Sequence, residues 1–240
     1  MPLRPWSPIA IAECGEPLLP LPPQLLRLEP HPYLALGAPY GSGGSPFRLR
    51  QGVIERLLRA EALLQERQPG WRLAIVDAWR PLAVQRFMVQ HAIAEECAVR
   101  GIDPDQPSPA FEAVVAAVGR FWAPPSEDPA TPPPHSTGAA VDLTLACADG
   151  AEVAMGSAID AIGAVSEPDH FQRLAETLPD GEERRLALSW HGHRQLLAQV
   201  MGQAGFAQHP NEWWHFSWGD QLWAWRSAQA SACYGRWLGD

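Results

Sequence analysis

The sequence has little positive charge and no basic run. Lys and Arg together number 18 against 27 Asp and Glu, so the formal net charge is -9 and the isoelectric point is near 5.3. A protein that binds nucleic acid or an anionic membrane usually presents clustered cationic side chains to its partner. The charge balance therefore argues against both partners and favours a small-molecule substrate.

Long apolar runs and paired cysteines are also absent. No segment reaches the roughly 18 consecutive apolar residues of a membrane span, and residues 1–6 lead into no apolar core of signal-peptide length. We therefore expect a cytoplasmic protein that does not contact membranes. The four cysteines include no C-x-x-C pair, which argues against a redox or zinc-ribbon motif, and we expect them to be reduced core thiols. They are Cys14, Cys97, Cys147 and Cys233.

The composition that is present indicates a folded globular protein. Hydrophobic residues make up 46% and charged residues 19% of the 240 residues, enough for a sizeable core. The 25 prolines are roughly twice the usual share. We expect a single catalytic domain over residues 49–240, with residues 1–48 as an irregular, Pro-rich arm packed on it. Apolar spacing predicts helices at 49–68, 83–100, 111–122 and 186–201, and short apolar runs predict strands at 72–76 and 141–145.

Polar residues follow the first predicted strand, in Asp77-Ala78-Trp79-Arg80-Pro81. Arg80 is always charged, and its guanidinium can hold an oxyanion or a carboxylate with two hydrogen bonds. Side chains at the end of a core strand are well placed to face a site. A structural ion pair between Arg80 and Asp77 is the competing interpretation.

A second polar segment surrounds the other predicted strand. Fully extended, the seven steps from His135 to Asp142 would span roughly 24 Å, whereas ligands of one metal lie within a few Å of each other. Gly138 allows the necessary bend. Asp142 would then lie in a buried strand, where an acid needs a cation or several hydrogen-bond donors. A hydrogen-bonded structural pair of His135 and Asp142 remains the alternative.

The stretch Asn211-Glu212-Trp213-Trp214-His215-Phe216 concentrates a carboxylate, an imidazole and large aromatics. Glu212 precedes His215 by three positions, close enough to act as the base for water at a metal that His215 holds. An aromatic core segment with a Glu–His hydrogen bond is the alternative. Together with His135 and Asp142, His215 would complete a three-ligand zinc site with one position open.

Four motifs follow one another along the chain: Asp77-Ala78-Trp79-Arg80-Pro81, His135-x-x-Gly138-x-Ala140-x-Asp142, Met155-Gly156-Ser157-x-x-Asp160 and Glu212-Trp213-Trp214-His215. In these motifs and their order, the sequence resembles D-alanyl-D-alanine dipeptidases of the vancomycin-resistance type over about residues 75–218. The resemblance implies an α+β, Hedgehog/DD-peptidase-like single domain with a central antiparallel sheet flanked by helices. It implies one Zn²⁺ held by His135, Asp142 and His215, with Glu212 as general base and acid and Arg80 stabilising the transition state.

The resemblance also implies hydrolysis of D-Ala-D-Ala to free D-alanine, a reaction of peptidoglycan metabolism. One departure concerns Pro133, because the family usually has Ser two residues before the first ligand His. Asp160 is a candidate partner for the substrate ammonium group, with a capping or surface role as the alternative. Ser136 could replace the missing hydroxyl, with a turn role as the alternative. We predict a surface position for His31, between Pro30 and Pro32, and surface or packing roles for His191, His193 and His209.

Three competing functions stay open at this point. One is a related zinc D,D-carboxypeptidase or another peptidase of peptidoglycan fragments. Another is an unrelated globular protein with accidental motif matches, against which the order of the four motifs argues. The third is a non-catalytic, zinc-stabilised binding module. Glu212 and Arg80 beside only three ligands argue against the module, because structural zinc sites are normally closed by four protein ligands. The sequence leaves the stereochemical preference open, and a homo-oligomer is compatible with it.

Overall fold

The computed structural model describes residues 4–41 and 44–238. The predicted helices and strands are all present, with ends displaced by about one turn or less. None of the helices in these ranges combines the length and the apolar character that a bilayer crossing requires. The helices are α1 (Pro32–Ala35), α2 (Gln51–Arg67), α3 (Leu82–Arg100), α4 (Pro109–Val118), α5 (His170–Thr177), α6 (Glu182–Gln203) and α7 (Gln221–Arg226). The strands are β1 (Ala10–Ile11), β2 (Leu18–Pro20), β3 (Leu26–Arg27), β4 (Arg48–Arg50), β5 (Arg72–Asp77), β6 (Ala140–Ala146), β7 (Ala207–Gln208), β8 (His215–Ser217) and β9 (Ser231–Ala232).

A five-stranded sheet in the order β3-β5-β6-β8-β7 forms the centre of the fold. Its neighbouring strands are antiparallel except for the edge pair of β3 and β5, which run parallel. The predicted α+β class is confirmed. The parallel edge pair was not expected, because its strand β3 lies in the arm, which the sequence predicted to be irregular.

The sequence had led us to expect an irregular arm over residues 1–48, but its described part, residues 4–41 and 44–48, contains short paired strands. β2 pairs with β4, β3 pairs with β5, and β1 runs parallel to β9. These strands have only two or three residues each, too few for an alternating pattern to stand out between prolines. The separation of an arm from a catalytic domain at residue 48 remains a prediction.

The core lies between one face of the sheet and the helices α2 and α6. Val141, Leu143 and Leu145 of β6 are fully buried and belong to the same apolar cluster as Leu64 of α2 and Leu197 of α6. Because side chains alternate along a strand, Asp142 points to the opposite face of the sheet. The apolar face thus anchors the strand that carries a predicted ligand.

A bulge in β5 brings a second acid to that opposite face. Ile75 pairs with Leu143, but Asp77 pairs with Asp142, so two steps on β5 match one step on β6. The extra residue, Val76, reverses the alternation that would otherwise put Asp77 on the same face as Ile75. Asp77 therefore lies beside Asp142.

A second apolar cluster packs α3 against α4 and the segment around α1. It includes Val84 and Met88 of α3, Val114 of α4, Tyr33 and Trp122. Tyr33 and Trp122 also flank the guanidinium of Arg80, whose central carbon lies 4.9 and 5.0 Å from the two ring centroids. This cluster therefore supports one side of the predicted site.

Gly138 makes the bend that the ligand spacing requires. It has a φ of 71°, and a Cβ there would lie 2.3 Å from Cδ1 of Leu18.

We expect Gly138→Ala to lower the free energy of unfolding by about 1–2 kcal/mol because of the left-handed backbone alone, with a further cost from the displaced Leu18. Chemical denaturation measures this. The matched control is Gly192→Ala in α6, where a Cβ meets open space and should stabilise by about 0.5–1 kcal/mol. Equal stability of the two variants would contradict the prediction.

The cysteines are all free, but they are not all core residues. Cys97 is buried as predicted, whereas Cys14 is exposed and Cys147 and Cys233 are half-buried. The prediction of core thiols is therefore wrong for Cys14, which lies just beyond the short strand β1, at the surface.

Candidate metal centre and active site

Three predicted ligands converge at the end of β6. The pairing of β6 with β8 places Asp142 opposite His215, and a 3-10 turn over Pro134–Thr137 brings His135 beside them. His135 Nε2 lies 3.2 Å from His215 Nδ1 and 3.2 Å from Asp142 Oδ2, while His215 Nδ1 lies 3.0 Å from Asp142 Oδ1. All three side chains are buried.

These distances fit a single tetrahedral metal ion. Zinc bonds of about 2.0–2.1 Å at tetrahedral angles separate neighbouring donor atoms by roughly 3.3 Å. The donor atoms of His135, Asp142 and His215 all lie within 4.8 Å of one another. Among the described residues this candidate group contains three side chains and no fourth, which is the pattern of a catalytic rather than a structural zinc site.

Hydrogen bonds on the far side of each imidazole set the orientation of the donors. His135 Nδ1 donates to the carbonyl oxygen of Ala78 at 2.7 Å, which leaves the Nε2 lone pair free. On His215 the outer nitrogen, Nε2, lies 3.4 Å from the hydroxyl of Ser217. Although burial opposes ionisation, His135 and then His215 hold the pKa of Asp142 well below its usual range. The set therefore presents imidazole nitrogens and an ionised carboxylate to one point.

Glu212 is a buried acid with an unused hydrogen-bonding atom. Its Oε2 lies 3.6 Å from His215 Nδ1, and its Oε1 lies 3.3 Å from His209 Nδ1. His209 Nδ1 already accepts a hydrogen bond from the backbone N–H of Asn211, so it has no proton to donate, and Oε1 is left without a partner among the described residues. Burial, and then the charges of Asp142 and Asp160, raise the pKa of Glu212 well above its ordinary value. Such a carboxyl holds a proton more readily than an exposed one does, as a proton carrier requires.

Arg80 both pairs with Asp77 and faces the metal centre. Its Nε and one terminal nitrogen donate to Asp77 Oδ2 at 3.0 and 2.7 Å, and the same terminal nitrogen lies 3.4 Å from Asp142 Oδ2. Another terminal nitrogen donates to Gln85 at 2.9 Å. Although burial acts in the opposite direction, Arg80 holds the pKa of Asp77 below its ordinary value. The structural pair and the site-facing role that the sequence left as alternatives are thus both present.

Asp160 lies at the site, and Ser136 does not reach it. Asp160 accepts a hydrogen bond of 2.6 Å from the hydroxyl of Tyr33 and adopts a φ of 62°, unusual for a residue with a side chain. Burial, and then the charge of Asp142, raise its pKa to about 6. The Ser136 hydroxyl donates to the carbonyl oxygen of Pro133 at 2.7 Å, as a turn residue does, and among the described residues that line the cavity Ser136 is missing.

A cavity of about 230 Å³ opens onto these groups. Ligand pockets for drug-sized molecules begin at roughly 300 Å³, so this one suits a smaller substrate. The Pro-rich connection from Pro124 to Pro134 forms part of its wall, as does the segment around Trp6. Its polar lining includes Arg80, His135, Asp142, Asp160, Glu212 and His215.

Several residues of the site were missed in the sequence. His31, predicted to lie at the surface, is buried, and its Nε2 lies 3.0 Å from Asp77 Oδ1. That prediction was wrong because the two flanking prolines do not expose the ring: Pro32 begins α1, and the imidazole turns inward onto Asp77. His209 is a packing residue, as predicted, but it packs against Glu212. Tyr33 and Arg4 carry no local signal that would have singled them out.

Comparisons with known proteins identify the family of the chain. A family model described as Peptidase_M15, D-ala-D-ala dipeptidase, matches residues 27–233. A protein named D-alanyl-D-alanine dipeptidase from Synechocystis sp. (strain ATCC 27184 / PCC 6803 / Kazusa) is 43% identical over 244 residues, which cover 98% of this chain and 97% of the relative. A solved crystal structure of a mutant vancomycin-resistance D,D-pentapeptidase, VanY, from a VanB-type resistance cassette in complex with Zn(II), shares 15% identity. The likeness has a TM-score of 0.41 and covers 93% of this chain and 96% of that chain.

Three convergent side chains that could hold a metal ion lie with a buried acid and a guanidinium beside an open cavity, an arrangement typical of metallopeptidases. The chain belongs to the D-ala-D-ala dipeptidase family of the M15 peptidases, whose model covers most of its length. The family and the dipeptidase activity expected from the sequence motifs are confirmed at this level. The roles of individual residues are proposals.

Proposed function

We propose that the protein hydrolyses the dipeptide D-Ala-D-Ala to free D-alanine with one zinc ion held by His135, Asp142 and His215. The observation that carries the proposal is the donor triangle of 3.0–3.2 Å beside the unpaired Oε1 of Glu212. The 43% identity to a protein named D-alanyl-D-alanine dipeptidase supports the choice of substrate. A cytoplasmic location and a place in peptidoglycan metabolism belong to the same proposal.

Glu212 is the proton carrier of the proposed reaction. Zinc, when bound, supplies Lewis-acid polarisation of the scissile carbonyl and lowers the pKa of water. Glu212 takes a proton from the attacking water and later gives it to the leaving amine, so that one group serves as base and then as acid. Its burial keeps solvent from competing for that proton.

Arg80 stabilises the charge that develops on the carbonyl oxygen. Its guanidinium is held by Asp77 and Gln85, so it is oriented before substrate arrives and needs no rearrangement during the reaction. Asp160, fixed by Tyr33, binds the ammonium group of the substrate. Ser136 is left out of the proposed contacts because its hydroxyl is used within its own turn.

The rival functions make different demands on the site. A D,D-carboxypeptidase must admit a longer peptide, whereas the cavity has about 230 Å³ and is walled by residues 4–7 and 124–134. A non-catalytic zinc module has no need of a buried acid without a hydrogen-bond partner, because such a group costs stability. Both features favour the dipeptidase.

A substrate comparison tests the proposal. The purified protein should cleave D-Ala-D-Ala, lose that activity in a chelator and regain it with one equivalent of Zn²⁺. The same assay with a mixed-chirality dipeptide measures the stereochemical preference. A longer D-Ala-terminated peptide should remain intact. Cleavage of the longer peptide alone would assign a carboxypeptidase, and zinc binding without any cleavage would assign the binding module.

A further inference from the structure

Residues 4–9 form one side of the cavity, with Arg4, Trp6 and Ser7 in its lining. The Trp6 ring lies edge-on to the His209 ring, with centroids 5.5 Å apart. The amide nitrogen of Gln221 lies 3.1 Å from the carbonyl oxygen of Ser7, 2.6 Å from that of Ile9 and 2.9 Å from that of Ala130. This segment is therefore fixed against the Pro-rich connection and is a built part of the site.

Arg4 brings a positive charge into the cavity, and no carboxylate of residues 4–41 or 44–238 pairs with it directly. Its terminal nitrogens donate to the carbonyl oxygens of Arg120 at 3.1 Å and Trp122 at 3.3 Å. Both side-chain hydrogen bonds that Arg4 makes within the described ranges thus end on uncharged backbone groups. Arg80, by contrast, is already paired with Asp77.

The charges around Glu212 are arranged for a zwitterion. Arg4, Asp160 and Glu212 all line the cavity. Asp160 is held by the hydroxyl of Tyr33, and Arg4 is held by backbone carbonyl oxygens. The cavity therefore presents one negative and one positive side chain together with the acid that moves the proton. A free dipeptide has an ammonium group on one side of its scissile bond and a carboxylate on the other.

We propose that Arg4 binds the free carboxylate of the second substrate residue and thereby selects dipeptides. The inference rests on the proposed function and adds its specificity-determining contact. Cleavage releases an amine on the same residue that carries this carboxylate, and Glu212 gives its proton to that amine. A group that binds the carboxylate should therefore lie near Glu212, as Arg4 does. A longer peptide presents an uncharged amide there and forfeits the charge-assisted hydrogen bond.

The test compares D-Ala-D-Ala with its C-terminal amide in Arg4→Gln. The variant should lower kcat/KM for the free acid by about ten- to a hundredfold, mainly through KM, and leave the value for the amide unchanged. Arg4→Lys should recover part of the loss, because it restores the charge without the planar fork. The matched control is Arg120→Gln, which removes an exposed arginine whose side chain lies 3.6 Å from Glu167, outside the cavity. It should change neither value.

Binding measurements separate this inference from the proposed function. In a Glu212→Gln background, calorimetry should show that Arg4→Gln weakens D-Ala-D-Ala binding by the same factor, with an unchanged melting temperature. An equal loss for acid and amide would overturn the role of Arg4 and show a structural effect. If the parent protein cleaves neither compound, the proposed function fails. The role of Arg4 is then decided by whether its removal abolishes the preference for the free acid in the binding assay.

Discussion

Replacing Glu212 with Gln should lower turnover by about a hundred- to ten-thousandfold, the range that a positioned general acid–base contributes. The amide keeps the shape of the side chain but cannot take a proton from water or return it to the leaving amine. The three donor side chains are untouched, so the variant should still bind about one equivalent of zinc. Steady-state kinetics and metal analysis on the same sample measure both quantities.

The same substitution should not destabilise the fold. Oε1 of Glu212 is buried without a hydrogen-bond partner in the described part of the chain, and a neutral amide removes the cost of a buried charge. We therefore expect an unchanged or higher melting temperature, as at other sites where function is maintained against stability. Glu112→Gln on the exposed surface is the control, and normal turnover in Glu212→Gln would remove Glu212 from its proposed role.

The parts of the site that could be predicted from sequence are those in which neighbouring residues act together. His135, Gly138 and Asp142 lie within one turn and strand, and Glu212 and His215 lie within one short segment, so their spacing limits where their donor atoms can lie. The positive φ of Gly138 shows why that position must bend. The convergence of the two segments depends on the pairing of Asp142 with His215 across β6 and β8. Local spacing cannot supply that pairing, and the family resemblance did.

The parts that could not be predicted are single contacts between distant segments. Tyr33 reaches Asp160, and His31 reaches Asp77, through one hydrogen bond each. A single contact of this kind leaves no periodic pattern in the sequence. Periodicity indicates which face of a helix or strand is buried, and it does not indicate which distant residue one side chain contacts. The bulge at Val76 is similar: it is visible only once β5 is paired with β6.

Arg4 could not be predicted from the sequence either. It lies in the stretch that the sequence predicted to be irregular, and its side chain donates to the backbone carbonyl oxygens of Arg120 and Trp122. Every residue type carries a carbonyl oxygen, so such contacts leave no pattern in the sequence. The motif resemblance covers about residues 75–218 and the family model begins only at residue 27, so neither includes Arg4. Its candidacy depends on the folded cavity alone.

Replacing His215 with Gln should release the metal and abolish hydrolysis. An amide is a poor zinc ligand, and the two remaining donors, His135 and Asp142, cannot complete a catalytic site, which normally has three protein ligands. Loss of an outer-shell partner alone costs up to about a hundredfold in metal affinity, so loss of a ligand should cost at least that much. Equilibrium dialysis against a chelator series measures the change. His193→Gln is the control, because His193 lies on α6 and its Nδ1 bonds to the carbonyl oxygen of Ala154.

Thermal unfolding tests the same prediction without an activity assay. A ligand that binds only the folded state at a hundred times its Kd stabilises it by about 2.7 kcal/mol. The unsubstituted protein should therefore melt at a lower temperature when a chelator is added, and His215→Gln should melt at the same temperature with and without zinc. A His215→Gln protein that still responds to zinc, and still binds a full equivalent, would show that the third ligand is another residue. The open coordination position inferred from the donor triangle would then have to be reassigned, because the proposed chemistry requires three ligands and a free acid at one centre.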